Sequence, residues 1–120
     1  MQPATQVTHR SVSTRSGQPV AILALAGDVS SEAGESILNA YQSLKGGPVN
    51  VLLDFTRVSY INSSGIAIVI QLLIEAAQKG GPSISIFGLS RHFHKVFSLV
   101  GIDKYAPLHT DEATAIASLS

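Results

Sequence analysis

The 120-residue chain carries eight basic and eight acidic side chains, is 45% hydrophobic and 13% charged, and contains no cysteine. That length allows one domain burying about two thirds of its unfolded surface, and the apolar content excludes a disordered chain. Balanced charge argues against a nucleic-acid surface, which calls for a basic excess or stripe, and the missing thiols exclude disulfides and thiolate chemistry.

The first twenty residues, MQPATQVTHRSVSTRSGQPV, hold no continuous apolar segment of signal-peptide type, which fits a cytoplasmic protein. Within them Val7 to Thr14 is polar and irregular, so residues 1–18 are expected as an edge strand or a loose N-terminal arm. Val20 to Ala26 (VAILALA) is a short unbroken apolar run and reads as a buried strand ending at Gly27-Asp28. Ser30 or Ser31 can cap a helix running to Lys45, with Glu32 in its first turn and Ile37, Leu38, Tyr41 and Leu44 on one face. Val49 to Phe55 (VNVLLDF) reads as a central strand.

From Ser63 to Lys79 the positions Ile66, Val69, Ile70, Leu73, Ile74 and Ala77 follow the spacing of a helix pressed on a core. Its apolar stretch is interrupted by Gln71 and Glu75 and falls short of the roughly 20 residues of a membrane span, so no membrane insertion is expected. Ser83 to Phe87 (SISIF) alternates as a strand, and Ser90 can cap a helix in which Phe93, Val96, Phe97 and Val100 share a face before Gly101. Tyr105 to Leu108 is a last short strand, and Thr110 or Asp111 caps a small closing helix. The tripeptides Gly46-Gly47-Pro48 and Gly80-Gly81-Pro82 each stand where a helical pattern gives way to a β-rich one, as glycine C-caps followed by proline do. Strand and helix alternating at these lengths require crossover connections, hence an α/β fold: a small mixed, mostly parallel sheet with amphipathic helices packed against it.

Catalytic and cofactor motifs are missing. No phosphate-binding glycine loop follows a strand, and neither Ser63 nor Ser64 has the glycine two residues upstream that a nucleophile elbow needs. His92 and His94 are two apart, about 200° around a helix, and cannot chelate one metal together; they read as solvated neighbours of a buried Phe93. Glu32 and Glu35 read as a solvated helix face. The inventory points to no enzyme, no metal and no cofactor.

INSSGI, residues 61–66, is the distinctive stretch. An asparagine or serine where a strand passes into a helix is the ordinary structural choice, because the first backbone N–H groups lack partners and the helix dipole is positive there. The same physics would hold a phosphate on a serine hydroxyl, adding about −1.5 to −2 charges to the surface without unfolding it. The wider segment LLDFTRVSYINSSGIAIVI, residues 52–70, resembles the signature of the STAS domain of bacterial anti-sigma factor antagonists and sulphate transporters, with Asp54, Val58, Tyr60, Ile61, Ser63, Ser64 and Gly65 in the matching places. Leu25 to Val29, and Ser90 to Gly101 with Phe97, look like further parts of that family's pattern, so the resemblance covers most of residues 20–118.

The resemblance implies a STAS fold and a regulatory binding protein. Such an antagonist binds an anti-sigma factor, a serine kinase of histidine-kinase-like ATPase fold, and thereby frees a sigma factor. The kinase phosphorylates the serine after the motif's Asp, here Ser63, which ends the complex, and a metal-dependent serine phosphatase reverses the mark. The implied docking residues are Asp28, Ser30, Asp54, Asn62, Ser63, Ser64 and Gly65, with Ser64 as a cap and Gly65 admitting a partner's backbone. Two positions depart from the pattern: the motif's Asp is Asn62, and the acidic residue before the first helix is Ser30. Both keep capping ability and lose a carboxylate. A STAS adaptor without phosphorylation, docked on a transporter's ATPase or a signalling scaffold, is the second class open to this chain. A small-molecule or nucleotide-binding domain is a third.

Overall fold

Ile22 and Leu23, adjacent in the run VAILALA, expose no surface at all, yet they belong to clusters on opposite faces of one strand. Burial on both faces is what an unbroken apolar run implies for a central strand of a parallel sheet. In this computed structural model, which describes residues 6–44, 47, 50–78 and 82–119 (the side chain of Glu35 excepted), the run lies in β2, Pro19–Val29. The expected glycine-proline junctions fall mostly outside the described residues, at 46, 48, 80 and 81.

Around β2 the elements are β1 (Gln6–Ser13), α1 (Ala33–Gln42), β3 (Asn50–Ile61), α2 (Ser63–Gln78), β4 (Ser83–Phe87), α3 (Arg91–Leu99), β5 (Leu108–His109) and α4 (Glu112–Ala117). The sheet order is β1-β2-β3-β4-β5, with β1 antiparallel to β2 and every other pair parallel. β1 is therefore an edge strand, in register from Gln6 opposite Ala26 to Ser13 opposite Pro19. Helices α1, α2 and α3 supply Ile37, Leu72 and Phe97 to the core on one sheet face. The short α4 covers part of the other face, with Ala115 against Val20, Ile22, Leu52 and Phe87.

Several boundaries differ from the sequence expectation, each for a local reason. β3 continues beyond Phe55 to Ile61 because it stays paired to β2 after a register shift: Asp54 lies opposite Ala24, but Arg57 lies opposite Ala26. α1 starts at Ala33, and neither Ser30 nor Ser31 caps it through a side chain; instead their carbonyls accept the N–H groups of Ala33 (3.0 Å) and Gly34 (3.2 Å). On α2 the buried stripe is Gly65, Val69, Leu72, Leu73 and Ala76, while Ala77 is exposed and Ile66, Ile70 and Ile74 are half-buried. An almost uniformly apolar helix presents several possible stripes, and the neighbours choose between them.

Ser90 caps α3 as expected, its hydroxyl accepting the Phe93 N–H at 3.2 Å. Phe97 inserts edge-on against Phe55 with ring centres 5.7 Å apart, but Val100 lies past the last turn and is exposed. The last strand is only Leu108–His109; Tyr105 is exposed, and Asp111, not Thr110, caps α4 through a 2.8 Å bond from the Thr114 N–H.

Candidate functional site

The parallel strands β2 and β3 end side by side, Asp28 opposite Tyr60 and Val29 opposite Ile61. Just beyond them the Asn62 N–H donates to the Val29 carbonyl at 3.2 Å, tying the two strand ends together. Asn62 then opens α2: its Oδ1 accepts the Gly65 N–H at 2.8 Å, and its carbonyl accepts the Ile66 N–H at 3.0 Å. The first bond satisfies an N–H that a helix start would leave orphaned, and the second is the first regular backbone bond of the helix. The cap is therefore Asn62, and the capping expected of Ser64 is already supplied by its neighbour.

Ser63 and Ser64 occupy the first turn after the cap and are exposed. A short, rigid connection between a paired strand end and a long helix holds them at the carboxyl end of the sheet, where the positive end of the α2 dipole points outward. Asp28 and Ser30, both half-buried, flank them from the end of β2. Asn62 and Ser64 thus adjoin Ser63 in the chain, while Asp28 and Ser30 stand on either side of Val29, the residue bonded to Asn62.

Gly65 and Asp54 do not belong to that surface. Gly65 is buried, and a Cβ placed on it would lie 2.2 Å from the Val29 carbonyl oxygen, so the backbone it admits is this chain's own rather than a partner's. Asp54 sits at the β3 irregularity, its Oδ1 accepting the Thr56 N–H at 2.8 Å and also the Thr56 hydroxyl. Thr56 in turn packs beneath Gly88 (φ 85°), where a Cβ would come within 2.5 Å of Thr56 Oγ1. The carboxylate shapes the strand where β4 turns away. It also lines a groove of about 340 Å³ with Gln6, Thr8, Arg10 and Arg57. Arg10 pairs there with Glu112, which holds its guanidinium pKa above the ordinary value, with a smaller contribution from Asp54.

An aromatic ledge that no motif or periodicity marks lies beside the α2 start. Tyr60 is 56% exposed and meets the half-buried Phe93 ring edge-on at 5.8 Å, and Phe93 meets His92 at 4.9 Å. A signal was available: VSYIN places an aromatic at the solvated end of a strand, where burial does not explain it. His94 is half-buried rather than fully solvated, and among the described residues no group of three His, Asp or Glu side chains could hold a metal ion.

The family model described as Mlab, STAS domain matches residues 12–110. No curated protein matches the chain. Solved structures share the fold. An anti-sigma factor antagonist from Mycobacterium paratuberculosis is 15% identical with a TM-score of 0.76, covering 96% of this chain and 93% of its own. The Bacillus cell fate determinant SpoIIAA in its phosphorylated form is 21% identical with a TM-score of 0.67, covering 96% of this chain and 100% of its own. A sulfate transporter family protein from Wolinella succinogenes is 18% identical with a TM-score of 0.68, covering 83% and 85%.

Proposed function

This chain belongs to the STAS domain family, and from that premise we propose that it is an anti-sigma factor antagonist whose docking edge is the start of α2. In this reading it binds an anti-sigma factor that is also a serine kinase of histidine-kinase-like ATPase fold, acts in the cytoplasm and performs no catalysis. Phosphorylation of Ser63 ends the complex, and a metal-dependent serine phosphatase restores it. The observation that carries the proposal is the exposure of Ser63 directly after the Asn62 cap, on a junction braced by Val29.

The physical basis of the switch is local. The N-terminal dipole of α2 tolerates a phosphate, so modification leaves the fold intact. Inside a docked interface the same charge must be desolvated, and each 1.4 kcal/mol of that penalty lowers affinity about tenfold. Tyr60 supplies an amphipathic anchor of the kind that concentrates binding energy. Asn62 is neutral, so the unmodified surface carries no mimic of the phosphate.

Incubation with a candidate kinase and ATP, followed by peptide mapping and binding assays, tests the reading. Phosphate should appear on Ser63; Ser63→Ala should bind the kinase and Ser63→Glu should not. The second reading, an adaptor docked on a transporter's ATPase, is favoured by one observation: the cap carries no carboxylate to align a kinase. It gains if Ser63 stays unmodified and Ser63→Glu binds its partner as the wild type does.

A further inference from the structure

The balanced charge of the chain conceals a local segregation. No Asp or Glu stands between Glu75 and Asp103, and within that stretch α3 carries Arg91, His92, His94 and Lys95. Arg91, His94, Lys95 and Ser98 follow the i, i+3, i+4, i+7 spacing of one helix face. That face forms one wall of a groove of about 590 Å³, with Leu89 from the β4–α3 connection and Thr110 from the β5–α4 connection completing the lining. Among the described residues no carboxylate pairs with Arg91, His94 or Lys95. The nearest acid in sequence to Thr110 is Asp111, whose carboxylate is engaged at the start of α4.

We infer that this groove is a binding site for a phosphate group carried on a larger, partly apolar molecule, separate from the Ser63 edge. Arg91 offers a planar fork of donors and Lys95 a mobile point charge, and the hydroxyls of Ser98 and Thr110 add neutral donors. The groove runs along the nine-residue α3 from its N-terminus, beside the carboxyl ends of β4 and β5, so the helix dipole adds positive potential at Arg91. Arg91 and Lys95, one turn apart on the same helix face, repel one another, and a dianion relieves that repulsion. Leu89 provides an apolar surface for the remainder of the ligand, and the volume exceeds what a bare phosphate fills.

A soluble phosphomonoester and a phospholipid headgroup share this chemistry, so the test has two arms. Backbone amide shifts are followed by NMR on titration with inorganic phosphate and with adenosine monophosphate at constant ionic strength. Co-sedimentation is measured with phosphatidylcholine vesicles with and without phosphatidic acid. Saturable shifts centred on Arg91 to Ser98 and Thr110 identify a soluble ligand, whereas vesicle binding that requires phosphatidic acid identifies a lipid headgroup. In either arm Arg91→Gln/Lys95→Gln, a change confined to exposed side chains, should weaken binding by about tenfold or more, because it removes both charge-assisted donors. Ser63→Ala should bind like the wild type. Absence of saturable binding in both arms, shifts centred on Ser63 to Gly65, or an unchanged double variant would each overturn the assignment.

Discussion

The carbonyl of Val29 meets the backbone of Gly65 so closely that a Cβ on residue 65 would lie 2.2 Å from the carbonyl oxygen and 2.8 Å from its carbon. The obstacle is backbone at the end of a paired strand, which cannot swing aside as a side-chain tip can. Gly65→Ala must therefore displace the first turn of α2 or part the ends of β2 and β3, at a cost of about 3 kcal/mol, the upper end of ordinary overpacking. Urea unfolding checks this. A variant as stable as the wild type would show that the junction yields easily and does not hold Ser63 in place.

Asn62 makes the next contribution at the same junction. Removing its side chain leaves the Gly65 N–H without its 2.8 Å acceptor, so Asn62→Ala should lose about 0.5 to 2 kcal/mol in equilibrium unfolding. Asn62→Asp keeps the acceptor and adds a negative charge at the positive end of α2, a gain of about 0.3 to 1 kcal/mol at low salt. If the proposed kinase reads a carboxylate beside its target, Asn62→Asp should also be phosphorylated faster on Ser63, which phosphopeptide quantitation would measure.

How far the fold was legible depended on whether the governing contact was local. VAILALA and SISIF declared themselves through burial and alternation, and Ser90 and Asp111 through caps that reach only three residues ahead. The second half of β3, TRVSYI, reads as polar and irregular because β4 leaves it after Phe87 and only β2 remains as partner. Nothing nearby in sequence marks that pairing. Gly65 looked like an opening for a partner because its true neighbour, Val29, lies on another strand. The basic wall on α3 was hidden by a whole-chain charge of zero, which averages over the faces on which charge acts.

Asp54 provides a test that separates fold from docking. Its carboxylate holds both the N–H and the hydroxyl of Thr56 at the point where β3 shifts register against β2. Asp54→Ala should lower stability by about 0.5 to 1.5 kcal/mol, the net range for a hydrogen bond whose exposed donor water can satisfy instead. Partner affinity, measured by calorimetry at a temperature where the variant is fully folded, should stay within about twofold of wild type, a difference below 0.5 kcal/mol. A large affinity loss without a stability change would return Asp54 to the docking surface.

Asp111 gives the pH dependence its sign. The Thr114 N–H, followed by the Thr114 hydroxyl, stabilises the ionised carboxylate, so its folded-state pKa lies below the ordinary value. A depressed folded pKa means that the unfolded chain binds the proton more readily. The stabilisation from this cap is therefore fully present above the unfolded value of about 3.9 and is lost as pH falls through the folded value. Asp111→Asn retains a capping oxygen but has no charge to titrate. The stability difference between wild type and Asp111→Asn, measured by urea unfolding over a pH series, should favour the wild type at neutral pH and shrink steadily in acid. A difference that stayed constant through the carboxylate range would show that the charge on Asp111 contributes nothing to holding α4, and that hydrogen-bond geometry alone does the capping.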